Sequence, residues 1–198
     1  MYAATFSLPM HSMMPCGQAA APADTSTPLW RGTKVQSNDA GENEAFSIGP
    51  DGFVWCYALD EASETCGRLK SIGLQAQRFA VGQWGGLTVV LAVSDNQLQY
   101  VAETGEPSGP RWLPACDVNF PLAMQGGEIK DVFIRKLEGN LFIGVVTQHE
   151  DAIGYQYSQF WEAVWAGGGL VFCASPVNPE LHDTIWDQEI ANLPGELG

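Results

Sequence analysis

Short apolar runs rich in Val, Ile, Leu, Phe and Trp alternate along this chain with pairs of turn-forming residues. Three stretches align without gaps around such a pair: Phe46-Ser-Ile-Gly-Pro-Asp-Gly-Phe-Val-Trp55, Val90-Leu-Ala-Val-Ser-Asp-Asn-Gln-Leu-Gln99 and Phe133-Ile-Arg-Lys-Leu-Glu-Gly-Asn-Leu-Phe142. Asp51-Gly52, Asp95-Asn96 and Glu138-Gly139 suit two-residue hairpin turns, because Gly and Asn accept positive φ at little cost. The glycine pairs Gly85-Gly86, Gly126-Gly127 and Gly168-Gly169 keep the same spacing, with Val81, Leu122 and Val164 four positions ahead of each.

Hairpin and glycine pair together predict a unit of roughly 42 residues holding four short antiparallel strands, which is the blade of a β-propeller. About four such blades over 28–198 would account for the chain beyond an extended N-terminal arm, 1–27. A fourth, degenerate hairpin runs from Val171–Ser175 to Asp183–Trp186. A β-sandwich with evenly spaced hairpins is the alternative. Helix is confined to a turn or two at Asp60–Glu64 and Asp187–Leu193. If the ring does not close within one chain, its exposed blade faces predict a homo-oligomer.

Composition supports the all-β reading, with 22 Gly, 12 Pro and seven Trp. Charge narrows the partners. Nine Lys and Arg stand against 23 Asp and Glu, a net −14. Every basic residue lies between Arg31 and Lys136. Nucleic acid is excluded as a partner, since its binding needs cations to displace counterions, and an anionic membrane surface is disfavoured on the same ground. No apolar run reaches the length of a membrane span. The first residues lack a basic n-region and are broken by Pro9 and Pro15, which is a poor secretory signal. Five scattered cysteines without CxxC spacing predict buried thiols and a cytoplasmic setting. A Cys56–Cys66 link would fit an exported protein instead.

Candidate chemistry is confined to recognition. A sugar needs an aromatic face for its apolar side and carboxylates, amides or Arg for its hydroxyls. Trp30-Arg31, Arg111-Trp112 and Trp161-Glu162 with Trp165 combine these types, and they are the expected ligand-binding residues. The competing expectation is that these Trp residues are core between sheets. His149-Glu150-Asp151, His182-Asp183 and the acidic stretch Ser37–Glu44 read as solvated loops, so no metal or cofactor is predicted. No GxSxG, Cys-His or phosphate-loop pattern occurs, which predicts a protein without catalytic activity.

The hairpin Phe46–Trp55, with Gly-Pro-Asp-Gly followed by Phe-Val-Trp, resembles a tectonin-type repeat. Ile129–Phe142 is similar to blades of propeller lectins. The resemblance implies a β-propeller that binds carbohydrate or protein. The expected function is therefore a lectin-like recognition module with a glycan partner. The alternative is a protein–protein interaction or assembly subunit with an acidic surface.

Overall fold

The computed structural model describes residues 30–37, 43–59, 69–105, 110–166 and 169–177. Among these the chain is all-β, arranged as three four-stranded antiparallel sheets. The first holds β1 (Arg31–Ser37), β2 (Asn43–Ile48), β3 (Phe53–Ala58) and β4 (Lys70–Gln75) in that order. The second holds β5 (Arg78–Trp84), β6 (Leu87–Ser94), β7 (Gln97–Ala102) and β8 (Cys116–Asp117). After a short 3-10 turn at Leu122–Met124, the third is formed by β9 (Glu128–Leu137), β10 (Asn140–Glu150), β11 (Gln156–Ala166) and β12 (Gly169–Phe172). The expected arm and most of the fourth hairpin lie outside the described residues. Of the about four blades expected, the described residues form three sheets, and these make an open series.

The second sheet is central. Along β6, Thr88 to Val93 are all buried, because both faces of this sheet are covered. Phe79, Val90, Ala92 and Val101 meet Phe46, Ile48, Val54 and Leu74 of the first sheet. On the other face Leu91, Val93 and Leu98 meet Leu141, Ile143, Val145 and Trp161 of the third. The first strands of the three sheets adjoin, β5 packing between β1 and β9. Two glycines permit the closest approaches. A Cβ at Gly82 would collide with Ile134 of β9, and one at Gly144 with the Phe160 ring. Adding even a methyl there forces these side chains out of their packing, which costs about 2 kcal/mol.

The turn chemistry read from sequence is present. Asp95, Asn96 and Glu138 all adopt positive φ, as do Gly52 and Gly139. The phase of the repeat differs. Asp51-Gly52 and Asp95-Asn96 join second to third strands, whereas Glu138-Gly139 joins the first and second strands of its sheet. The third sheet has much longer strands, ten residues in β9 and eleven in both β10 and β11. That added length carries the turn one strand out of step.

Candidate functional site

The end of the central sheet at the Gly85-Gly86 turn gathers polar and aromatic side chains on both faces. The turn is tight, with both glycines at positive φ, so β5 finishes abruptly at Gln83 and Trp84. Strand alternation sends these two side chains to opposite faces.

Toward the first sheet, Gln83 pairs across to Thr88, and Thr88 stands beside Glu103. Glu103 bridges in turn to Trp112. Into this row reaches Arg111. Its Nε donates to Glu103 Oε1 at 2.6 Å, and Nη1 donates to Glu44 Oε1 at 2.7 Å. Nη2 donates to the second oxygen of Glu44, giving a two-pronged contact with a residue of β2. The other Glu103 oxygen accepts from the Thr88 amide at 2.7 Å. The guanidinium lies 5.0 Å from the Trp112 ring centre, and Trp112 meets Phe46 edge-on at 6.3 Å. Burial opposes the Arg111 charge, but Glu44 and then Glu103 outweigh it and push its pKa further up. Gln83 is 7% exposed, and its amide nitrogen has no hydrogen-bond partner.

Toward the third sheet, Trp84 lies 6.4 Å from Trp165, and Tyr100 meets Trp165 edge-on at 5.0 Å. Trp84 is 37% exposed, a large apolar surface at a rim. Beneath it Trp165 is buried, and its indole N–H also lacks an acceptor. Two enclosed donors without partners therefore flank the end of one strand, where enclosed polar groups are normally paired.

The seven residues expected from sequence do not converge on one place. Arg111 and Trp112 lie on one face of this end, and Trp165 lies on the other. Trp161 is fully buried farther along β11, donating to Thr147 Oγ1 at 3.0 Å. Glu162 is half-buried on the opposite face of β11, in register with Gly144. Trp30 is half-buried at the start of β1, meeting Trp55 edge-on at 6.2 Å, and Arg31 is exposed on β1. The residues that sequence reasoning passed over are Gln83, Trp84 and Glu103, while Glu44, expected at the end of a solvated loop, instead lies in β2 and pairs with Arg111. Glu44 and Arg111 are 67 positions apart, so no local motif could join them. Trp84 was open to notice, as a Trp directly before a glycine-pair turn.

Cys56 is a free, buried thiol 3.9 Å from Arg111 Nη1. Burial raises its pKa to about 11 against the lowering effect of Arg111. Cys116 and Cys173 are free and exposed. Among the described cysteines, maleimide labelling of the folded protein at neutral pH, followed by peptide mapping, is expected to modify Cys116 first and to spare Cys56. Labelling of Cys56 at the rate of Cys116 would contradict this packing.

No family model and no curated protein matches the chain. Solved structures do. The fold is similar to that of an endo-1,4-β-xylanase from Bacteroides thetaiotaomicron, with a TM-score of 0.52 and 11% identity over 75% of this chain and 60% of the other. The chain thus spans only about 60% of the length of that enzyme. An α-L-arabinofuranosidase from Clostridium thermocellum follows, at a TM-score of 0.46 and 12% identity over 74% of this chain and 54% of the other. A family 43 arabinoxylan arabinofuranohydrolase from Bacillus subtilis, solved with cellotetraose, gives 0.47 and 11% over 80% of this chain and 40% of the other.

The expectation of a protein without catalytic activity is corrected, since the solved structure whose fold this chain resembles is that of an enzyme, the endo-1,4-β-xylanase. The physical reason is that carboxylates of a hydrolytic site are assembled by the fold and not by a local motif. Glu44 and Glu103, which meet through Arg111, show how far apart in sequence two neighbouring carboxylates can start.

Proposed function

We propose that this chain engages carbohydrate at the Trp84 end of its central sheet, within a β-propeller frame of which the three sheets are blades. The observation that carries the reading is the exposed Trp84 ring beside Trp165, whose buried N–H lacks an acceptor. An indole face at a rim takes the apolar side of a pyranose. A sugar hydroxyl is the acceptor that the Trp165 N–H wants, once Trp84 tilts aside. The likeness to a xylanase fold and the tectonin-type hairpin point to the same ligand class, and β-1,4-linked pentose or hexose chains are the first to try.

A glycan array with the purified protein, including xylo- and cello-oligosaccharides, tests this. Binding to one linkage family is expected, and Trp84→Ala is expected to weaken it about tenfold or more. The same substitution should cost no more than about 1 kcal/mol of stability, since Trp84 is only partly enclosed. A blank array, or unchanged binding by Trp84→Ala, overturns the reading. Release of reducing ends from a bound oligosaccharide would extend it from recognition to turnover.

A further inference from the structure

Toward the end of the seam opposite the Gly85-Gly86 turn, three hydrogen-bonding side chains of the third sheet stand in a row. Trp161 Nε1 donates to Thr147 Oγ1 at 3.0 Å, and Thr147 Oγ1 lies 2.9 Å from His149 Nε2. An indole nitrogen can only donate, so the Thr147 oxygen accepts from Trp161 and its own proton goes to His149. Nε2 is therefore an acceptor, which requires a neutral ring with its proton on Nδ1. Trp161 and Thr147 are 0% and 1% exposed, so water has little access to either bond.

The same ring holds a piece of backbone in place. It stacks on Tyr157 of β11, with ring centres 5.4 Å apart, and covers the buried Gly127, where a Cβ would come within 2.5 Å of it. Gly127 lies in the join between the second and third sheets, just after the 3-10 turn, and its carbonyl accepts from Asn96 Nδ2 at 3.0 Å. Asn96 Oδ1 accepts in turn from the Ile129 amide at 2.6 Å, so the join is tied to a hairpin tip of the central sheet. The titratable and charged groups on the surrounding elements are Tyr157, Glu128 with its partner Lys130 on β9, Glu150 and Asp151 at the end of β10, and Asp95 beside Asn96. The Tyr157 face and the carboxylates favour a cation. Burial opposes it and prevails, holding the His149 pKa below the ordinary histidine value.

We propose that His149 is a pH-operated latch, whose protonation at mildly acid pH frees the ring from Thr147 and Gly127 and loosens the join between the second and third sheets. On protonation Nε2 becomes a donor. Both neighbours of the Thr147 oxygen are then donors, and the enclosed hydroxyl proton is left without an acceptor. Because the folded chain binds this proton less readily than the unfolded one, the join is intact above the ordinary histidine range and weakens as pH falls through it. The latch does not depend on the carbohydrate reading. Hydrogen exchange of the full chain at about pH 7.5 and about pH 5.5, corrected for intrinsic rates, is the test. The Gly127 amide, which donates to the Met124 carbonyl, and the Trp161 indole N–H are the reporters. Their protection is expected to fall about tenfold at the lower pH, the cost of one orphaned hydroxyl. In His149→Gln the side-chain carbonyl accepts the Thr147 proton at either pH, so most of that fall should disappear. An equal fall in a folded His149→Gln variant overturns the proposal, and so does unchanged protection in the wild-type chain. Should the variant fail to fold, the imidazole carbon signals of His149 in the unaltered chain decide the matter. Titration below the ordinary histidine value, with Gly127 protection lost over the same range, supports the latch, whereas titration at or above that value overturns it.

Discussion

Trp161→Ala is expected to lower the unfolding free energy by about 4 kcal/mol, in the middle of the range for aromatic truncation in a core. The side chain is fully buried in the seam between the second and third sheets, among Leu141, Ile143 and Val145. Its removal opens space that the sheets cannot collapse to fill, because Gly82 against Ile134 already sets their closest approach. The Thr147 hydroxyl also loses its indole donor. At this chain length the melting temperature should fall by about 12 °C. Trp161→Phe keeps most of the apolar volume and gives up the hydrogen bond, so its cost should be about 1–2 kcal/mol. Urea unfolding of the three proteins measures both. A loss below about 1 kcal/mol for Trp161→Ala would mean that the seam is looser than described. The contrast with Trp84→Ala is informative, since the proposed function expects that substitution to lower binding and to spare stability.

The unequal reach of sequence reasoning has a physical origin. Turns are local, and a two-residue turn demands positive φ, so Asp95-Asn96 and Glu138-Gly139 announced themselves. Strand number within a unit followed from the run lengths between such turns. The phase of the third unit did not, because a turn pair looks the same whether it joins first to second or second to third strands. The Trp positions show the same limit. Trp112, Trp161 and Trp165 each sit in apolar-rich stretches, but their differing fates depend on which sheet lies opposite. Trp84 is exposed because it ends an inner strand at a rim, which no pattern of near neighbours records. Glu44 and Glu103 belong to different sheets and became one cluster only through Arg111.

Arg111→Met is the second large effect, an expected loss of about 2 kcal/mol. The guanidinium is the tie between β2 of the first sheet and the end of β7 in the second, through Glu44 and Glu103. Its side chain is 37% exposed, whereas the two carboxylates are 17% and 16% exposed. Removing it leaves two mostly enclosed negative groups facing each other without a cation. That residual repulsion and desolvation, more than the lost attraction, sets the cost. Solvent access at Arg111 keeps the figure below the 3–5 kcal/mol typical of a fully buried pair. Two companions separate these contributions. Arg111→Lys restores charge without the fork, so it should recover only part of the loss. Adding Glu44→Gln and Glu103→Gln to Arg111→Met removes the stranded charges, and the triple variant should be more stable than Arg111→Met alone. If the triple variant proves less stable than Arg111→Met, the cluster is held by its hydrogen bonds and not by charge balance. If Arg111→Met costs nothing, the two sheets are joined by apolar contact alone. Where Arg111→Met does destabilise, hydrogen exchange at β2 and β7 is expected to register the change first, since those strands carry the tie.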